Sequence, residues 1–71
     1  MNTYLYPMSS DGDVWIEKII ARSIADAERR VANKLREDYD LESEDYQDVI
    51  EELSSNGISI GDFYDVDTFL D

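Results

Sequence analysis

The sequence predicts a small α+β domain: an N-terminal β-hairpin followed by two amphipathic helices and a short C-terminal strand, with a single-layer sheet packed against the helices. Three observations carry this reading. Asp11-Gly12 lies between two stretches rich in aromatic and β-branched residues, which is hairpin-turn chemistry. Ile24, Ala27, Val31 and Leu35 recur at spacings of three and four, as one stripe of a helix does. Tyr46, Val49, Ile50 and Leu53 repeat the pattern. The chain of 71 residues forms one domain over 1–71, close to the size below which a core rarely sustains itself. It contains no cysteine, so neither a disulfide nor a thiolate-bound metal reinforces that core.

The elements follow in order. Thr3, Tyr4, Leu5, Tyr6, Pro7 and Met8 form an uncharged, aromatic strand, and Pro7, which lacks an N–H, predicts a sheet edge or the strand's end. Residues 9–13 make the turn. A second strand is expected over 14–22, with Trp15, Ile19 and Ala21 on one face and Val14, Ile16 and Ile20 on the other. A helix starting near Trp15 is the rival reading; Val-Trp-Ile and Ile-Ile directly after a turn favour the strand. Ser23 is a helix N-cap with Asp26 three residues on as its capping-box-like partner. That helix turns Ile24, Ala27, Val31 and Leu35 inward and Arg29, Arg30, Lys34 and Arg36 outward. In the acidic connector over 37–42, Tyr39 and Leu41 are the apolar anchors. Ser43 reads as a second N-cap, which would put Glu44 and Asp45 in the first turn. Asn56-Gly57 closes the helix. Ile58, Ser59 and Ile60 suit a short strand, and 61–71 a strand ending in a helical turn.

Charge is placed unevenly. Residues 1–36 hold all 6 basic side chains with 5 acids, whereas 37–71 hold 13 acids and no Lys, Arg or His. The halves are therefore +1 and −13, which gives the net −12. A hydrophobic content of 42% is too high for a disordered acidic tail, so the acids belong on the face of a folded domain. Such a field repels nucleic acid and anionic lipid and favours a basic protein partner. No signal peptide and no apolar stretch of membrane-spanning length is visible, so a cytoplasmic protein is expected.

The chemistry excluded is equally clear. Without Cys or His, Ser–His and Cys–His nucleophilic pairs are impossible, and so small a domain offers little room for a pocket holding two contrasting carboxylates. No enzyme activity is expected. Asp11-Gly12-Asp13 and the Asp62, Asp65, Asp67 group lack the spacing of a calcium loop, and they read as a turn and a solvated edge. Neither a metal nor a cofactor is expected. With the second apolar stripe facing inward, Glu44, Asp45, Asp48, Glu51 and Glu52 are turned to solvent. Residues four apart advance about 6 Å along a helix, so Glu44, Asp48 and Glu52 make a row whose spacing is comparable with that of DNA phosphates. Like charges at this spacing disfavour the helix, yet no cation interrupts them. A merely solvated face is the plain alternative; adaptation to salt would have thinned the basic residues throughout, and six are retained in 18–36.

In size, in lacking Cys and His, and in its density of acids over 37–52, the chain resembles the small acidic DNA-mimic proteins of bacteriophages, among them phage inhibitors of the bacterial nucleoid protein HU. The resemblance implies an inhibitor that occupies the DNA site of a basic host protein in the bacterial cytoplasm, HU first, with a restriction enzyme, a CRISPR effector or RNA polymerase as other targets. HU contacts mainly the DNA backbone and minor groove, so a decoy need not copy base edges. The contact residues expected are Glu37, Asp38, Asp40, Glu42, Glu44, Asp45, Asp48, Glu51 and Glu52, extended by Asp62, Asp65 and Asp67. A protein-interaction module working through its N-terminal sheet is the reading from a different class. A homodimer, if formed, is expected to use the N-terminal strands, because the −13 half repels itself.

Overall fold

The computed structural model describes residues 1–67, and the elements are β1 (Asn2–Ser10), β2 (Asp13–Ala21), α1 (Ile24–Asp38), α2 (Tyr46–Ser55), β3 (Ile58–Ile60) and β4 (Tyr64–Asp65). Val66 and Asp67 begin the expected final helical turn, and the rest of that expectation falls on 68–71, outside the described residues.

The hairpin is set by its turn. Asp11 and Gly12 both take positive φ, 52° and 87°, the two-residue geometry whose twist suits antiparallel strands. Glycine enters that region without a Cβ penalty. Ser10 thereby faces Asp13, and pairing continues without a slip to Asn2 opposite Ala21. Alternation then places Tyr4, Tyr6, Met8, Trp15, Glu17, Ile19 and Ala21 on one face, and Thr3, Leu5, Pro7, Ser9, Val14, Ile16, Lys18 and Ile20 on the other. The first face is the inner one: Tyr4, Tyr6, Met8 and Ala21 are buried there, whereas Val14, Ile16 and Ile20 are exposed. Residues 13–21 are thus a strand with the predicted division of side chains.

β1 is the central strand, with β2 on one side and both β3 and β4 on the other, all antiparallel. Pro7 therefore lies inside a central strand rather than at an edge or an end. A break in the neighbour permits it. β3 pairs with Met8, Ser9 and Ser10, and β4 with Tyr4 and Leu5, so Pro7 faces the irregular stretch between them. The Gly61 N–H donates to the Pro7 carbonyl at 2.8 Å. An N–H and C=O of one strand residue point the same way, so the donor that Pro7 lacks falls at this gap in the ladder. Gly61 is required for the close approach, since a Cβ there would lie 2.5 Å from Pro7 Cγ in a ring that cannot swing away. Gly61→Ala is expected to destabilise by about 1–3 kcal/mol, the usual range for overpacking. A fall in the urea midpoint with unchanged slope would register it.

Both helices cover the inner face. Val31, Ala32 and Leu35 of α1 and Val49 and Leu53 of α2 meet Tyr6, Met8 and Leu41 in the main core, and Ala27 meets Tyr4 and Ala21 in a smaller one. Phe63 joins the two, edge-on to Tyr4 at 6.5 Å and to Tyr6 at 5.2 Å between ring centroids. Ile24 departs from the expected stripe: it is the first helical residue, 54% exposed, at the rim of the helix layer. Of the two anchors expected in the connector, Leu41 is buried and Tyr39 is exposed. Tyr6 is fully buried and its hydroxyl has no hydrogen-bond partner among the described residues. Burial first, then the Glu17 charge, pushes its pKa up to about 12, so it remains a protonated phenol. Tyr6→Phe removes that unsatisfied group at constant packing and is expected to raise stability by about 1 kcal/mol in a thermal melt.

The cap of α1 forms as its sequence predicts. The Asp26 N–H donates to Ser23 Oγ at 3.1 Å, and Asp26 Oδ2 accepts from the Arg22 N–H at 3.0 Å and from Arg30 Nε at 2.9 Å. The Arg22 amide and then the Arg29 and Arg30 guanidiniums hold the Asp26 carboxyl far below the ordinary aspartate value of 3.8. A folded pKa depressed in this way contributes stability above 3.8 and loses it as pH falls through the folded value. Asp26→Asn is therefore expected to lower the melting temperature at neutral pH, and the gap from the parent protein should close progressively in melts carried below pH 3.8.

Candidate functional site

Local chemistry decides how the acidic half is displayed. α1 ends through a left-handed residue: Asp40 has φ 53°, the Tyr39 N–H donates to the Leu35 carbonyl and the Leu41 N–H to that of Arg36, each at 2.9 Å. This closure turns the chain and drives Leu41 into the core. The acids around it, Glu37, Asp38, Asp40 and Glu42, are exposed. The second helix begins later than its sequence suggests. Its N-cap is Asp45, whose side chain makes no capping bond, so Glu44 precedes the helix and Asp48 is the acid of its first turn.

Ser43 serves another purpose, which shortens the predicted row. Its hydroxyl donates to Glu52 Oε1 at 2.6 Å, its N–H to the same oxygen at 3.1 Å, and the Glu42 N–H reaches Glu52 Oε2 at 3.4 Å. The Ser43 hydroxyl and amide, with the Glu42 amide, hold the Glu52 carboxyl below its ordinary value. Glu52 is half-buried and clasps the connector to α2, so Glu44, Asp48 and Glu52 do not form a single helical row. Glu37, Asp38, Asp40, Glu42, Glu44, Asp45, Asp48 and Glu51 are all exposed, and they follow one another in the chain from the end of α1 along the connector to α2. Among the described residues no three carboxylates converge closely enough to hold a metal ion, so these acids are spread over the surface.

The remaining predicted contacts separate. Asp62 is exposed and borders a cleft of about 350 Å³ beside α2, whose walls include Ile24, Glu28, Tyr46, Ile50 and Phe63. Burial, then Glu28 and Asp62, raises the Tyr46 pKa to about 12, so its phenol stays a donor. Asp65 lies opposite Tyr4 at the start of β1, where Asn2 Nδ2 donates to it at 3.3 Å, and it also accepts from the Asp67 N–H. Asp67 is exposed beside it. The cleft, with two carboxylates over isoleucine and aromatic walls, was not apparent from the sequence, because Glu28 and Asp62 are 34 positions apart.

Four of the six cations are engaged elsewhere. Arg29 and Arg30 pair with Asp26, Lys34 Nζ reaches Glu17 at 3.5 Å, and Arg36 donates to Asn33 Oδ1. These ion pairs stay within the first half of the chain. No protein-family model, curated protein or solved structure matches this chain. No helix among the described residues is long and apolar enough to cross a membrane.

Proposed function

We propose that this protein is a non-catalytic decoy of the DNA backbone, which binds a basic DNA-binding protein through the acidic surface from Glu37 to Glu51, the nucleoid protein HU being the favoured target. One observation carries the reading. Carboxylates sit where helix electrostatics disfavours them. Glu37 and Asp38 occupy the last turn of α1 and Asp40 follows it, at the negative end of the helix dipole. Arg36 is the one basic residue in the last turn of α1, and α2 has none in its last turn. A surface needed only for solubility has no reason to concentrate anions at the C-terminal end of α1. A surface that must meet phosphate-binding lysines and arginines does.

The cleft beside α2 supports the same reading. Ile24, Ile50 and Phe63 offer apolar cover to the alkyl stem of a lysine or arginine, and Glu28 and Asp62 offer its charged tip a partner. Spread carboxylates also suit a partner that reads phosphate positions rather than base edges.

The test is competition. Labelled duplex DNA bound to purified HU is titrated with the protein and followed by fluorescence anisotropy at low and at moderate salt. Displacement that weakens steeply as salt rises is expected, because decoy and DNA draw on the same electrostatic attraction. Unchanged DNA binding at low salt would remove HU as the target. A parallel titration with other basic DNA-binding proteins would then decide whether the surface mimics DNA at all.

A further inference from the structure

We infer that the uncovered outer face of the sheet is a self-association surface, on which a second copy of this chain packs sheet against sheet. Among the described residues, the helices cover one side only. On the other, Val14, Ile16 and Ile20 of β2 are 71%, 61% and 50% exposed, in line along one strand. Beside this ridge runs a groove of about 370 Å³ lined by Leu5, Pro7, Ile16, Tyr64 and Val66. Ridge and groove lie on the same face, so a two-fold axis through it seats each ridge in the other copy's groove. Isologous contacts require self-complementarity of this kind.

Charge selects the second copy. The outward positions of the four strands are Thr3, Leu5, Pro7, Ser9, Val14, Ile16, Lys18, Ile20, Ser59 and Tyr64. None is acidic, in a chain where 18 of 71 residues are. A copy carrying −12 can approach another closely only where both lack acids. Lys18, the single charge, lies on the β2 edge, where its stem can lead the ammonium out to water. The acidic connector and α2 belong to the helix layer, so packing through the sheets leaves them on the two outer faces.

The inference does not depend on the identity of the acidic surface's partner. Sedimentation velocity on the full chain at high micromolar concentration is expected to give twice the 8.2 kDa chain mass. Ile16→Glu should weaken the dimer by at least roughly 100-fold. Its circular dichroism should stay native, since that side chain already faces solvent. Should Ile16→Glu misfold, Lys18→Glu, which sets acid near acid on the same face, should weaken the dimer without disturbing any core contact. Glu51→Gln, on the helix layer, should leave the mass unchanged. A wild-type mass of 8.2 kDa would overturn the inference. A dimer that survives both face variants but is lost on Lys18→Pro would overturn it in favour of pairing through the open β2 edge.

Discussion

Leu53→Ala is expected to leave a large fraction of the molecules unfolded at room temperature. Leu53 is 1% exposed and lies where α2 meets Tyr6, Met8, Val31 and Leu35. Truncating a leucine in such a site costs about 2–5 kcal/mol, the upper end applying where neighbours cannot collapse into the space. Here they are constrained: Tyr6 and Met8 are fixed by the central strand, and the helix is clasped to the preceding connector through Glu52 and closed at its C-terminal end by Asn56 and Gly57. A domain of 71 residues has a total stability of roughly 3.5–10 kcal/mol. One side chain is thus comparable with the whole margin. Urea unfolding followed by Trp15 fluorescence would show the midpoint shifted most of the way to zero denaturant. A shift of under about 1 kcal/mol would mean that the core repacks, or that association through the sheet supplies most of the stability.

What could be read from the sequence was local. Asp11-Gly12 fixes the hairpin register by itself, and Ser23 with Asp26 specifies the start of α1 within four residues. The division of β2 into two faces was also legible. Which face is inner was not, because Val14, Ile16 and Ile20 are as apolar as Trp15 and Ile19. The helices choose between the faces, and that choice leaves the hydrophobic outer surface. The misreadings were non-local. Pro7 sits in a central strand because a stretch more than fifty residues later interrupts its neighbour there. Ser43 looked like a cap because serine followed by acids usually is one; its partner Glu52 lies nine residues on and draws it out of that role. Ile24 has the spacing of the buried stripe but belongs to a first turn that the helix layer leaves at its rim. The acidic surface was legible as a composition, and its shape was not. Only the closure at Asp40 and the Glu52 clasp decide which carboxylates remain together in solvent.

Those same contacts determine which acids a decisive variant should change. Glu52 is unsuitable, since its loss would release the connector, and Asp48 favours α2 from its first turn. Glu37→Gln, Asp38→Asn, Asp40→Asn and Glu51→Gln together remove four of the eight exposed carboxylates, and each substitution leaves the fold's hydrogen bonds in place. Asparagine is also well tolerated at the left-handed position of Asp40. Two outcomes are expected together. Affinity for the basic partner should fall by at least about 100-fold, with the slope of log affinity against log salt reduced by roughly half, since half of the uncompensated charge is gone. The melting temperature should rise by a few degrees, because three anions at the C-terminal end of α1 and the repulsion among neighbouring acids are removed. The opposite signs are diagnostic. Lost stability accompanied by lost binding would indicate damage to the fold. A gain in stability with binding and salt slope unchanged would mean that these acids are a solvated face, and would overturn the decoy reading. A gain in stability with loss of binding is the signature of a surface that holds its charges for a partner and against its own helices.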